Sequence, residues 1–290
     1  MRVIRWMSLA LLVLSAWPVE AEQGQKPLTG KLLYTRLTEG TWQIWQKDLA
    51  TGEDVQVTAI AGDKRCPLWG GNGQVAYCTT NHACFENTVG SQAHELRFRE
   101  LWPARDLARS PDGQWLVFSK FRTDLPDQAN LWVAKGDESN PRMITQEPGL
   151  QQQPAWSPGS TKIAYSGGQG PNSYEIFVVN ADGTDRAQLT TNEANDFLPA
   201  WSPDGRQIAY ASNASGDDEI WVVEADGSRQ AQLTHSPGLD THPAWSPDGR
   251  SIAFATNRTG EMEIWVMNAD GSDQQLLLKA EGGACDPAWR

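Results

Sequence analysis

The chain is 290 residues long, with 24 basic and 36 acidic side chains, a formal net charge of −12 and 39% hydrophobic residues. Such an acidic surface repels nucleic acid and anionic lipid, so neither is an expected partner. It favours cations or basic patches on other proteins, and it also serves plain solubility.

Residues 1–21 read as an export signal. Arg2 and Arg5 precede an apolar run from Trp6 to Ala16, and Val19-Glu20-Ala21 fits a small-residue cleavage site. The run is short for a membrane span, no later stretch is long and apolar enough for one, and no cysteine follows the cleavage site to carry a lipid. Removing the signal leaves 22 basic against 35 acidic residues. Residues 22–30 form a polar linker, and 31–290 are expected to fold as one domain, exported, soluble, monomeric and not inserted in a membrane.

From there a unit of four antiparallel strands, A to D, recurs. Lys31 to Thr58 supplies strands B to D of a unit that lacks its strand A. The unit from Pro67 to about Trp102 departs most from the rest. Gly70-Gly71-Asn72-Gly73 fills its first turn, and Arg97 stands where other units place a strand-C tryptophan. Thr79 to His94 reads as its B-to-C loop, the longest in the protein, carrying His82, Phe85 and His94, and long ordered loops tend to be functional. The unit from Leu107 keeps Ser110-Pro111-Asp112-Gly113 but has Arg109 where tryptophan is expected.

The regular units begin at Pro154, Pro199 and Pro243, and Trp156, Trp201, Trp245 and Trp289 follow at spacings of 45, 44 and 44. A fixed period of that size signals a repeat architecture. Ser202-Pro203-Asp204-Gly205 suits a type I turn, and Asp226-Gly227 predicts a two-residue hairpin. The middle strands are apolar on both faces, so both must be covered, and face-to-face stacking of four-stranded units gives a β-propeller. An open solenoid or a sandwich is the alternative. Pro287-Ala288-Trp289-Arg290 is a strand A with nothing after it, so its pairing with the N-terminal three strands predicts an all-β, six-bladed propeller closed into a ring.

In such a meander the tight A-to-B and C-to-D turns share one end of each blade, and the longer B-to-C and D-to-A connections share the other. The second end is the expected working face. Asp106, Asp196, Asp240, His242 and Asp286 stand on the D-to-A connections, each within three residues before strand A, and Arg290 ends the chain near the same axis. Acidic groups and a histidine converging on a channel mouth suit a divalent cation such as calcium, although no spacing matches an EF-hand loop. Structural or protein-binding use of the same residues is the other reading. Four cysteines allow three pairings; the repeat register favours Cys66 with Cys285 and Cys78 with Cys84. No Gly-x-Ser-x-Gly elbow, His-Glu-x-x-His, phosphate-cradling glycine loop or Cys-x-x-Cys is present, so no covalent nucleophile is indicated and no enzyme is expected.

The run Pro-Ala-Trp-Ser-Pro-Asp-Gly-Arg-x-Ile-Ala-Tyr/Phe, followed by Glu-Ile-Trp-Val and Ala-Asp-Gly, resembles the propeller repeats of the periplasmic TolB family. The resemblance is strong over residues 154–290, recognisable in 31–66 and 106–146, and weak in 67–103. It implies a six-bladed propeller in the periplasm of a Gram-negative bacterium, a non-catalytic platform that binds an envelope protein or lipoprotein, as in the Tol-Pal system. Family members with the full Tol role carry an α/β domain ahead of the propeller, whereas here the propeller repeats start directly after the signal. The alternative is an enzyme or carbohydrate-binding propeller using the channel mouth with a bound divalent cation.

Overall fold

In the computed structural model the described residues are 27–59, 61–70, 74–79, 84–88, 94–96, 104–122, 124–125, 127–168, 170 and 173–290; at 84–88, 94–96 and 104 the backbone alone is described. The signal, most of the linker and His82 lie outside them. Among the described residues every regular element is a strand, and no helix is long and apolar enough to cross a membrane.

The strands follow one another as antiparallel meanders. β1 (Lys31–Thr38), β2 (Thr41–Asp48) and β3 (Asp54–Gln56) form one sheet, and β4 (Lys64–Trp69), β5 (Gln74–Thr79), β6 (Cys84–Thr88) and β7 (His94–Leu96) another. β8 (Ala104–Arg109), β9 (Trp115–Phe121), β10 (Ala129–Lys135) and β11 (Arg142–Met143) are joined to β12 (Leu150–Trp156), β13 (Lys162–Gly168), β14 (Glu175–Asn180) and β15 (Ala187–Gln188). The join is one parallel pairing, Ala129 with Leu150. Two further four-stranded sheets comprise β16 (Asp196–Trp201), β17 (Gln207–Ser212), β18 (Glu219–Glu224) and β19 (Gln230–Gln232), then β20 (Asp240–Trp245), β21 (Ser251–Thr256), β22 (Glu263–Asn268) and β23 (Gln275–Leu278). β24 (Ala284–Trp289) pairs antiparallel with β1, so the last strand extends the first sheet.

Local chemistry sets the turns. In Ser202-Pro203-Asp204-Gly205 the Gly205 N–H donates to the Ser202 carbonyl at 2.9 Å, with Gly205 at φ +70°. The Ser202 hydroxyl donates to Asp204 Oδ1 at 2.6 Å and accepts from the Gln207 N–H at 3.0 Å, so the side chains brace the bend. The Asp226-Gly227 turn is longer than a two-residue hairpin. Gly227 N–H reaches the Glu224 carbonyl at 2.8 Å and Glu224 N–H the Arg229 carbonyl at 2.9 Å, so four residues span it, with Gly227 in the left-handed region.

Each inner strand carries a bulge at the same place. In β4, β8, β12, β16, β20 and β24 the register against the next strand shifts so that two residues face one. The single residue is an aromatic on the second strand: Tyr77, Phe118, Tyr165, Tyr210, Phe254 and Tyr34, all fully buried. The second residue of the bulge is proline in every case but Leu107, and proline has no N–H to leave unpaired. Two residues further on, the strand-A tryptophan reaches into the preceding sheet. Its indole N–H donates to a backbone carbonyl there: Trp69 to Ala288 at 3.0 Å, Trp156 to Ala108 at 3.1 Å, Trp201 to Ala155 at 3.2 Å and Trp245 to Ala200 at 3.1 Å. Trp289 donates instead to Thr29 at 2.9 Å.

Two further sequence expectations are corrected. Thr79 to His94 is not one long loop: Cys84–Thr88 is a strand, and Cys78 and Cys84 are direct partners in the β5–β6 ladder. No tryptophan marks that strand, so the repeat's own punctuation was missing. Cys78 is disulfide-bonded, but Cys66 and Cys285 are free thiols rather than a bridge. The buried Cys285 thiol is engaged by the Thr35 hydroxyl at 2.9 Å, while Cys66 occupies a bulge position held in the left-handed region.

Candidate channel-mouth site

The first residue of each bulge adopts a conformation that side chains other than glycine rarely take. Cys66, Asp106, Gln153, Leu198, His242 and Asp286 have φ between +51° and +55°. A non-glycine residue there costs about 1–3 kcal/mol, and such strain persists only where its surroundings impose it. A bulge also re-aims its side chain. Six strands thus make the same costly turn at the same point, near the end from which the D-to-A connections emerge.

Several of these residues are linked from one sheet to the next. Asp286 Oδ2 accepts from the Cys66 N–H at 3.3 Å, Asp106 Oδ2 from the Gln153 N–H at 3.1 Å, and Gln153 Oε1 from the Leu198 N–H at 3.1 Å. Each acceptor is braced from its own sheet by a hydroxyl, Thr35 to Asp286 at 3.2 Å, Ser119 to Asp106 at 3.5 Å and Ser166 to Gln153 at 3.0 Å. His242 Nε2 lies 3.1 Å from Asp286 Oδ1, with Nδ1 3.1 Å from the hydroxyl of its neighbour Thr241. Asp286 is buried, whereas the His242 ring is part-exposed.

The thiols here are not activated. Cys66 is solvent-accessible, yet the crowding of its sulfur by neighbouring strands, then the Asp286 and Asp106 carboxylates, push its thiol well above its ordinary value. Burial, followed by Asp286, pushes Cys285 up to about 12. The thiolate is the nucleophile, so neither group is poised for covalent chemistry at neutral pH. Among the described residues no group of three His, Cys, Asp or Glu side chains is placed to hold a metal ion.

Of the residues singled out in the sequence, Asp106, His242 and Asp286 occupy bulge positions; Arg290 does not join them, because it follows the end of β24 at the tight-turn end, with Nη1 3.5 Å from the Gly70 carbonyl and its guanidinium 5.7 Å from the Trp69 ring centre. Asp196 and Asp240 do not face a partner: both are fully buried at the starts of β16 and β20. Ser212 donates to Asp196 Oδ1 at 2.5 Å, and Arg258 Nη2 lies 2.7 Å from Asp240 Oδ2. They stand two residues before the bulge, too deep in the seam to reach the surface. His82 and the side chains of Phe85 and His94 lie outside the described residues. Gln153 and Leu198 were missed. The signal that finds them is the residue preceding the proline of Pro-Ala-Trp, a position whose side chain varies while its backbone geometry repeats.

Two cavities lie at the opposite, tight-turn end. One of about 190 Å³ is lined by Trp289, Asp248, Asn268 and Pro27–Thr29, and one of about 560 Å³ by Arg109, Trp115, Lys135 and Gly136. Both open where the tryptophan-to-carbonyl bond between sheets is replaced or diverted.

Repeated four-stranded meanders with bulged inner strands define an all-β repeat protein of the propeller type. Residues 108–228 and 196–290 match the family described as the TolB beta propeller domain, together more than half of the chain, and the chain belongs to that family. A Tol-Pal system protein TolB from Anaeromyxobacter dehalogenans is 27% identical over 124 residues, 42% of this chain and 28% of that protein, so only a minor part of the relative's length is matched. The crystal structure of TolB from Acinetobacter baumannii superposes with a TM-score of 0.76 at 17% identity, over 91% of this chain and 67% of the other. An oligogalacturonate lyase in complex with manganese superposes with a TM-score of 0.62 at 17% identity, over 88% and 76%. These two likenesses establish the fold alone.

Proposed function

We propose that the protein is a non-catalytic docking scaffold of the bacterial cell envelope, six blades closed into a ring, working in the periplasm after removal of residues 1–21. Dividing the eight-stranded sheet at its single parallel pairing gives six four-stranded blades. Closure is supported by β24 pairing with β1, by the Asp286 bond to Cys66 and by the Trp69 bond to Ala288, all of which join the end of the chain to its beginning.

The observation that carries the functional reading is the set of six left-handed bulges, which directs Cys66, Asp106, Gln153, Leu198, His242 and Asp286 toward one axis without an activated nucleophile among them. Backbone strain repeated six times is a rigid presentation of side chains, and a rigid surface lowers the ordering cost of association. An envelope protein or lipoprotein, engaged by His242, Asp286 and Asp106 at the channel mouth, is the partner class that the TolB relationship supports. A Tol-Pal role follows if that partner is the peptidoglycan-associated lipoprotein.

Titrating the purified lipoprotein from the same organism against the mature chain tests this directly. Saturable binding that weakens at least about tenfold in His242→Ala and Asp106→Ala, a loss near 1.4 kcal/mol, supports the reading. Binding unchanged in both variants removes the channel mouth as the docking site. No binding at all removes the Tol-Pal role.

A further inference from the structure

Three consecutive seams are built alike, and they differ in charge. β14 opens with Glu175 against Asp196 of β16, β18 with Glu219 against Asp240 of β20, and β22 with Glu263 against Ala284 of β24. A backbone bond ties each pair of strand starts: Asp196 N–H to the Tyr174 carbonyl at 2.7 Å, Asp240 N–H to Asp218 at 2.7 Å and Ala284 N–H to Met262 at 2.8 Å. In the third seam Lys279 Nζ meets Glu263 at 2.8 Å, and alanine stands where the others have aspartate. The first two seams hold two carboxyl groups in mutual reach.

Donor counting separates those two. In the first, Asn192 and Ser212 satisfy both oxygens of Asp196, while Thr190 and the Asn192 N–H satisfy both of Glu175. In the second, Asp240 Oδ2 accepts from Arg258 at 2.7 Å and Ser236 at 3.0 Å, but Oδ1 is buried without a partner. Asp240 is 0% exposed and Glu219 4%. Two ionised carboxylates in contact, with an orphaned acceptor between them, would combine like-charge repulsion with a desolvated lone pair.

We propose that Glu219 and Asp240 share one proton, donated by the Glu219 carboxyl to Asp240 Oδ1, and that this proton holds the connection 233–239 against the seam. The charged groups around the pair are Asp217 and Asp218 before β18, Arg258 after β21 and His235 within the connection. Arg258 compensates one carboxylate, and the proton neutralises the other. Glu219 also accepts from the Thr234 hydroxyl, so the pair grips both ends of the connection. Burial first, then the Asp240 charge, pushes Glu219 up to about 7, which puts loss of the proton within the physiological range. The folded-state value lies above the unfolded one, so the contribution is complete below about 4.5 and is lost as pH rises through about 7.

Hydrogen exchange of the mature chain, normalised to intrinsic rates between pH 5.5 and 8.5, reads this seam against the lysine-sealed one. Protection of 233–240 is expected to fall by up to about tenfold per pH unit near neutrality, the limit for a single proton, while 277–284 stays level. Glu219→Gln should keep 233–240 protected throughout. Equal pH behaviour of the two segments overturns the proposal, and so does restoration of protection at pH 8.5 by calcium chloride, which would assign the site to a cation. Should the variant fold poorly, carboxyl carbon-13 titration of the unmodified chain decides: a Glu219 midpoint near 7 supports the shared proton, and one near 4.5 excludes it.

Discussion

The regular strands β12 to β24 and the irregular strands β4 to β11 solve the same packing problem with different parts. In the regular region Trp156, Trp201 and Trp245 each send the indole N–H across the seam to the preceding sheet, to Ala108, Ala155 and Ala200. At the end of β8, the corresponding Arg109 turns back to its own unit and donates to the carbonyls of Gly113 at 3.1 Å and Gly136 at 3.3 Å. A cavity of about 560 Å³ opens beside it. The β4–β7 unit keeps its tryptophan but adds a disulfide at Cys78. A propeller seam therefore needs a large apolar wedge with one donor, and where the wedge is lost a local bond replaces it without filling the space.

The largest effect that tests this contrast is Trp245→Ala. Removing a nearly buried indole and its donor should cost about 3–5 kcal/mol in denaturant unfolding, whereas Arg109→Ala should cost about 1 kcal/mol. Similar losses would mean that both positions carry equal seam energy. Reduction of the Cys78 disulfide comes next, at about 2 kcal/mol for a short loop, with increased exchange confined to β4–β7. Exchange spreading into β16–β24 would show that the irregular unit supports the whole molecule.

Arg109→Trp should recover a seam bond to the Leu68 carbonyl, the counterpart of Ala108 and Ala155, and fill part of the cavity. A gain of about 1 kcal/mol corresponds to a rise in Tm of about 2–4 °C in calorimetry. A fall would show that the Arg109 bonds to Gly113 and Gly136 matter more than the wedge. The smallest effect is Asp204→Asn in a surface turn. The Ser202 hydroxyl, then the Arg206 N–H, hold the Asp204 carboxyl below the usual carboxylate range. Its stabilisation is present above the unfolded value and is lost as pH falls through the lowered one. The variant should therefore cost up to about 1 kcal/mol at pH 7 and progressively less as pH falls below the usual carboxylate range.

Much of this was legible in the sequence because the features are local. Pro-Ala-Trp and Ser-Pro-Asp-Gly fix turns, strand starts and the period with residues a few positions apart, and those marked β12 to β24 and the final strand. Where the punctuation is absent, as in Cys84–Thr88, a strand was read as a loop. Depth was not legible. Asp196, Asp240, His242 and Asp286 look alike as polar residues ahead of a tryptophan, yet a shift of two positions along the strand puts Asp240 in a closed seam and His242, part-exposed, at the bulge against Asp286. That outcome depends on the bulge, a clash between strand register and the buried aromatic across from it, and on which neighbouring sheet supplies each donor. Alternation along one strand carries no information about either, because the partners sit some 45 residues away in the chain and become neighbours only when the sheets stack.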